Sequence, residues 1–96
     1  MAEIPHLLVH EHDDNVGVVV VEGLTAGTDM LVCVTHDNST FRLTSEADVP
    51  IGHKVALKDL KDGDTAIKYG EDIGKIIADI PKGAHVHTHN CKTKRW

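Results

Sequence analysis

Three imidazoles fall within five residues of the segment Ala84-His85-Val86-His87-Thr88-His89-Asn90. A neutral imidazole is the commonest metal ligand, and its ordinary titration lies near physiological pH. Such a segment therefore holds a metal, moves protons, or does both. Side chains alternate between the two faces of an extended chain, so a strand here sets His85, His87 and His89 on one face, with Val86 and Thr88 on the other. Residues i and i+2 stand about 6.6 Å apart along a strand. Two such imidazoles can converge on one ion at metal–nitrogen distances of about 2.0–2.1 Å. Residues i and i+4 stand about 13 Å apart, so a third ligand from the same strand needs a sharp bend. At most two of the three are expected at one metal. The competing reading is a solvated, histidine-rich edge strand.

Other residues offer complementary chemistry. His10 and His12 repeat the i, i+2 spacing beside Asp13 and Asp14, either as a second ligand pair or as a polar loop. His53 and Lys54 follow Gly52, and Lys68-Tyr69-Gly70 joins a cation, a phenol and a flexible backbone. A site that handles a carboxylate or sulfonate needs such cations, because anionic charge develops on the substrate during reaction. His36, in a turn, reads as a surface residue. There is no glycine-rich phosphate loop, no Gly-x-Ser-x-Gly elbow and no His-Glu-x-x-His helix. Nothing places a base beside Cys91.

The elements that position these residues must come from a small chain. Its 96 residues make one domain at most, with a modest core. Phe41, Tyr69 and Trp96 are the whole aromatic set, so the core is aliphatic, and the abundance of valine favours strands. A net charge of −5 argues against a nucleic-acid partner. Cys33 and Cys91 are too few for a disulfide framework and suit a reducing, cytoplasmic setting; each is expected as a small apolar residue. No targeting segment is expected, because Met1-Ala2-Glu3 lacks basic residues. The longest apolar run, Val16 to Val21, is too short to span a membrane.

Strands are expected at Leu7–Val9, Val16–Val21, Met30–Thr35, Thr40–Thr44, Ala66–Ile67 and Lys75–Ile77, with a hairpin turn at His36-Asp37-Asn38-Ser39. Lys54 to Asp59 is expected to begin a helical turn that Lys61-Asp62-Gly63-Asp64 ends. Pro81-Lys82-Gly83 is expected to launch the histidine strand. The turns near Gly23 and Gly63 look alike, a faint sign of repetition. Many short strands with little helix make a mostly β domain with irregular connections. An open row of histidines on so small a domain reads as half of an active site.

Four segments in order resemble the SAF-type β-clip domain of the altronate and galactarate dehydratase family. They are Gly52-His53-Lys54-Val55-Ala56-Leu57-Lys58-Asp59, Ile67-Lys68-Tyr69-Gly70-Glu71-Asp72-Ile73-Gly74, Ala78-Asp79-Ile80 and His87-Thr88-His89-Asn90. Asp14-Asn15-Val16-Gly17-Val18 resembles the family's opening strand, so the likeness covers essentially residues 1–96. In the family this domain precedes a larger catalytic domain. Here the chain stops at Arg95-Trp96, which points to a split relative with a separate large catalytic (beta) subunit.

The resemblance implies a lyase acting on a small anionic 2-hydroxy acid. The C2 proton is lost while sulfite leaves C3 of sulfolactate to give pyruvate, or while water leaves a sugar acid. It implies a divalent metal, iron(II) first, with magnesium or manganese as alternatives. It assigns His87 and His89 to the metal and His87, Lys54 and Lys68 to catalysis. It sets His53, Tyr69 and Asn90 against the substrate and His85 in a supporting place. Two competing classes are a non-catalytic docking or ligand-binding module and a small metal buffer, the latter suggested by eight histidines. Exposed apolar edges would point to a partner or to self-association.

Overall fold

Short β-branched runs cut by glycine turns leave no stretch for a stable helix, and the computed structural model, which describes residues 4–68, 71–87 and 90–92, is built of strands. In chain order these are β1 (Leu7–Val9), β2 (Val16–Val19), β3 (Asp29–Val34), β4 (Ser39–Thr44), β5 (Lys54–Ala56), β6 (Thr65–Lys68), β7 (Glu71–Ile76), β8 (His85–Val86) and β9 (Cys91–Lys92). No helix occurs among the described residues, so the mostly β expectation holds. One sheet runs β4-β3-β1-β2-β5-β8 and a second runs β6-β7-β9. β1 pairs parallel with β3 and antiparallel with β2.

Two aliphatic cores follow from the alternation of side chains. Leu7, Val9, Val19, Met30, Val32, Val34, Leu43 and Val55 form the first, within the larger sheet. Val16, Ala56, Leu60, Ala66, Ile76, Ile80 and Val86 form the second, where the two sheets meet. Neighbouring residues of β5 therefore serve different cores: Val55 packs in the first and Ala56 in the second.

The backbone repeats itself. Leu24 bridges Val49 around the β3–β4 hairpin, and Leu60 bridges Ile80 around the β6–β7 hairpin. Asp48-Val49-Pro50-Ile51-Gly52 and Asp79-Ile80-Pro81-Lys82-Gly83 close the two units. Each aspartate accepts a backbone N–H two residues beyond the bridging leucine, from Ala26 at 2.9 Å and from Asp62 at 3.0 Å. The Gly27 N–H donates to Ser45 and the Gly63 N–H to Ile76, both at 2.7 Å. The sequence likeness of the turns near Gly23 and Gly63 is thus displaced by four residues, because the structure equates Gly27 with Gly63.

Two local expectations need correction. Lys54–Asp59 does not start a helical turn; Lys54–Ala56 is β5, held between β2 and β8. Both neighbours supply ladder hydrogen bonds, and Val55 and Ala56 are fully buried, a gain that one exposed helical turn could not match. The histidine segment is not one extended strand either. Among its described residues the strand is His85–Val86, and the His87 carbonyl then accepts the N–H groups of Asn90 at 3.1 Å and Cys91 at 2.8 Å, which closes a turn. The His36–Ser39 hairpin turn is present, with Asn38 at φ 60° and the Asp37 carboxylate accepting from the Ser39 N–H at 3.0 Å.

Candidate metal centre

Two similar turns deliver the site. The His53 N–H donates to the Pro50 carbonyl at 3.1 Å and the Ala84 N–H to that of Pro81 at 3.0 Å. Gly52 and Gly83 occupy the third positions at φ 86° and 87°, the left-handed conformation that type II turns require there. Proline occupies the first position of each turn, and its carbonyl accepts the closing hydrogen bond. The strands that follow pair Lys54 with Val86 and Val55 with His85. One step further along that ladder, His53 and His87 face each other.

The rings of His53 and His87 stack with centroids 3.7 Å apart at 15°. His85 lies beside them, 5.1 Å from His53 and 5.8 Å from His87. Nδ1 of His53 and Nε2 of His85 are 2.9 Å apart. That contact needs one donor and one acceptor, so at least one of the two rings is neutral. All three rings are half-buried, and one nitrogen from each lies within 4.8 Å of the others. Among the described residues, this is the one group of three or more histidine, cysteine, aspartate or glutamate side chains whose donor atoms converge in this way.

The donor set fits a divalent ion. Two nitrogens bound at about 2.0–2.1 Å stand up to about 4.2 Å apart, so small side-chain rotations cover the difference. Three neutral imidazoles suit iron(II) or another transition ion better than magnesium, which prefers oxygen.

His85, expected in a supporting place, stands in the cluster itself, and so does His53, expected at the substrate. The turn after His87 and the contribution of His53 from β5's approach bring three imidazoles together. A signal was present in the sequence: both Pro-x-Gly turns are followed within two residues by a histidine. His89 and Tyr69 lie outside the described residues. Lys54 is half-buried and pairs with Val86, so strand alternation sets it on the face opposite His53. Lys68 ends β6 just after a register irregularity between Ala66 and Ile67. Asn90, expected to touch substrate, has both amide atoms on the histidine segment: Oδ1 accepts the His87 N–H at 2.9 Å and Nδ2 donates to the His85 carbonyl at 2.8 Å.

Buried Asn15, unassigned from sequence, does the same for β6. It accepts the Ile67 N–H at 2.6 Å and donates to the Thr65 carbonyl at 2.7 Å. His10, His12 and His36 lie away from this centre, in the β1–β2 and β3–β4 turns. Cys33 and Cys91 are half-buried and not joined in a disulfide. No helix of the described residues is long and apolar enough to cross a membrane.

Residues 5–94 match the altronate/galactarate dehydratase SAF domain. The chain is 73% identical over 67 residues to (2R)-sulfolactate sulfo-lyase subunit alpha of Paracoccus pantotrophus, covering 70% of this chain and 100% of that one. It is 48% identical over 89 residues to the subunit of the same name from Chromohalobacter salexigens, covering 93% and 95% of the two chains. Altronate dehydratase of Escherichia coli is 46% identical over 80 residues, 83% of this chain and 15% of that enzyme. With its strand architecture and almost its whole length accounted for, the chain belongs to the altronate/galactarate dehydratase SAF-domain family.

Proposed function

We propose that this chain is the small subunit of a two-subunit carbon–sulfur lyase that converts (2R)-3-sulfolactate to pyruvate and sulfite. The observation that carries this reading is coverage. The chain spans 95–100% of the two sulfo-lyase alpha subunits but only 15% of altronate dehydratase. A large beta subunit then supplies the rest of the active site. A cytoplasmic location is proposed with it, since two cysteines are too few for a disulfide framework.

The reaction removes the C2 proton, breaks the C3–S bond with its electron pair leaving on sulfite, and yields an enol that becomes pyruvate. His53, His85 and His87 would hold a divalent ion, iron(II) by preference, which would supply Lewis-acid stabilisation of the negative charge that develops on the substrate. His89 stands next to them in sequence and is proposed as a further ligand or the group that moves the C2 proton. Lys68 and Tyr69 are proposed as the groups that bind carboxylate and sulfonate, for which a fixed cation offsets the charge that develops; Lys54, on the other face of β5 from His53, is set apart from them.

The test is co-purification of the chain with a large partner, followed by assay of sulfite release from sulfolactate. Sulfite release that disappears in His87→Ala, with the complex intact, supports the reading. A complex that dehydrates a sugar acid and releases no sulfite overturns it in favour of the dehydratase alternative, which the altronate dehydratase likeness favours.

A further inference from the structure

Asn90 is nine-tenths buried, at 9% exposure, and its hydrogen bonds converge on one short segment. Oδ1 takes the His87 N–H, Nδ2 gives to the His85 carbonyl, and its own N–H gives to the His87 carbonyl at 3.1 Å. The amide thus closes both ends of the step between two histidines of the cluster. β8 is only two residues long, and its pairing with β5 ends at Val86, so the ladder alone does not hold His87.

The internal repeat adds a second observation. In the first unit the Glu46 N–H donates to the Gly83 carbonyl at 2.9 Å; in the second the Ile77 N–H donates to the Asn90 carbonyl at 3.0 Å. Asn90 therefore stands where the repeat calls for a backbone anchor, and it carries a side chain that grips the histidines. Only an amide offers a donor and an acceptor in this shape. Aspartate would set a carboxylate oxygen against the His85 carbonyl, and alanine would leave the His87 N–H and His85 carbonyl without these partners.

We infer that Asn90 is a positioning residue of the metal centre: it fixes the backbone from which His85 and His87 reach a divalent cation, and contacts neither the ion nor the substrate. This rests on the metal reading of the trio. Asn15 supplies a built-in control. It makes the same two side-chain bonds, is equally buried at 6% exposure, and grips β6 rather than the histidine segment.

The experiment is titration of the full-length chain with cobalt(II), read by calorimetry and by the visible absorption of the bound ion. Wild type, Asn90→Ala, Asn90→Asp and Asn15→Ala are compared, each with its thermal midpoint. Loss of a residue that orients ligands lowers metal affinity about 10–100-fold. That loss, with a shifted visible band, is expected in both Asn90 variants. Asn15→Ala is expected to lower the thermal midpoint and leave affinity within about twofold, because it frees no ligand-bearing backbone. Asn90→Asp preserves the side chain's shape and keeps the test readable if Asn90→Ala does not fold. Unchanged affinity and band in a folded Asn90 variant overturn the inference, as does an equal loss in Asn15→Ala. Absence of cobalt binding by the wild type instead overturns the metal reading itself.

Discussion

Two groups of histidines in this molecule share a spacing and little else. His10 and His12 are two residues apart, as are His85 and His87, and each pair gains a third histidine from a distant segment, His36 in one case and His53 in the other. At the turn end, the imidazoles are exposed and meet carboxylates. His12 Nε2 lies 2.7 Å from Asp37, His36 Nδ1 3.3 Å from Glu11, and His10 Nε2 3.6 Å from the other Glu11 oxygen. At the β5–β8 edge the rings are half-buried, stack on one another and converge, with one nitrogen from each within 4.8 Å of the others. Exposed ion pairs of the first kind contribute little to stability. Convergent imidazole nitrogens of the second kind offer donors that could hold a metal ion. What separates the two groups is the partner each fold brings to them.

Substitution of one histidine in each group breaks the comparison most sharply. His53→Ala is expected to lower sulfite release by the complex about 10²–10⁴-fold and to remove its bound metal, measured by elemental analysis of the purified complex. His12→Ala is expected to leave both nearly unchanged. A His53→Ala complex that keeps its metal and shows only a raised KM would return His53 to the substrate, where the family resemblance sets it.

Backbone strain tests the turns that position each region. At Gly83 an added Cβ would collide with the Thr44 carbonyl oxygen, and the residue sits at φ 87°. Gly27, in the turn before β3, sits at φ 85° with nothing within 4 Å. Gly83→Ala is expected to destabilise the fold by about 2–4 kcal/mol, combining strain and overpacking. Gly27→Ala should cost about 1 kcal/mol from strain alone. Denaturant unfolding of the two variants reads the difference; equal midpoints would show that the β8 turn is not clamped against β4.

The smallest effect concerns the His12–Asp37 pair. The hydrogen bond to Asp37 raises the His12 pKa above 6.5, and the bonds from His12 and Ser39 hold the Asp37 carboxyl well below its ordinary 3.8. A raised histidine contributes stability below about pH 6.5, and loses it as pH rises through the folded value. A depressed carboxylate contributes above about pH 3.9, and loses it as pH falls through the folded value. The pair therefore stabilises most between these limits. Thermal melts of wild type and Asp37→Asn should differ slightly near pH 5 and converge above about pH 8. A difference that grows at high pH would contradict the pairing.

Much of the fold is legible in the sequence. Leu7–Val9, Met30–Val34 and Thr40–Thr44 declare themselves as strands because valine, leucine and threonine alternate between glycine and aspartate turns. β5 does not, since Lys54-Val55-Ala56 has no strong strand pattern and owes its conformation to two neighbouring strands. The repeat is written in Asp48-Val49-Pro50 and Asp79-Ile80-Pro81, but only the matching hydrogen bonds show which glycines correspond. Of the site, His87 and its neighbours stand out by residue type. The membership of His53 and His85 does not, because strand spacing counts distance along one chain segment and ignores what a neighbouring strand delivers.

By itself the sequence determined the residue types, the turns and the local extended segments, since these depend on side-chain shape and backbone preference within a few residues. The tertiary structure alone decided which histidines meet. Convergence from His53 to His85, across 32 residues of chain, depends on strand pairing between β5 and β8 and on the amide of Asn90, and no local preference encodes either.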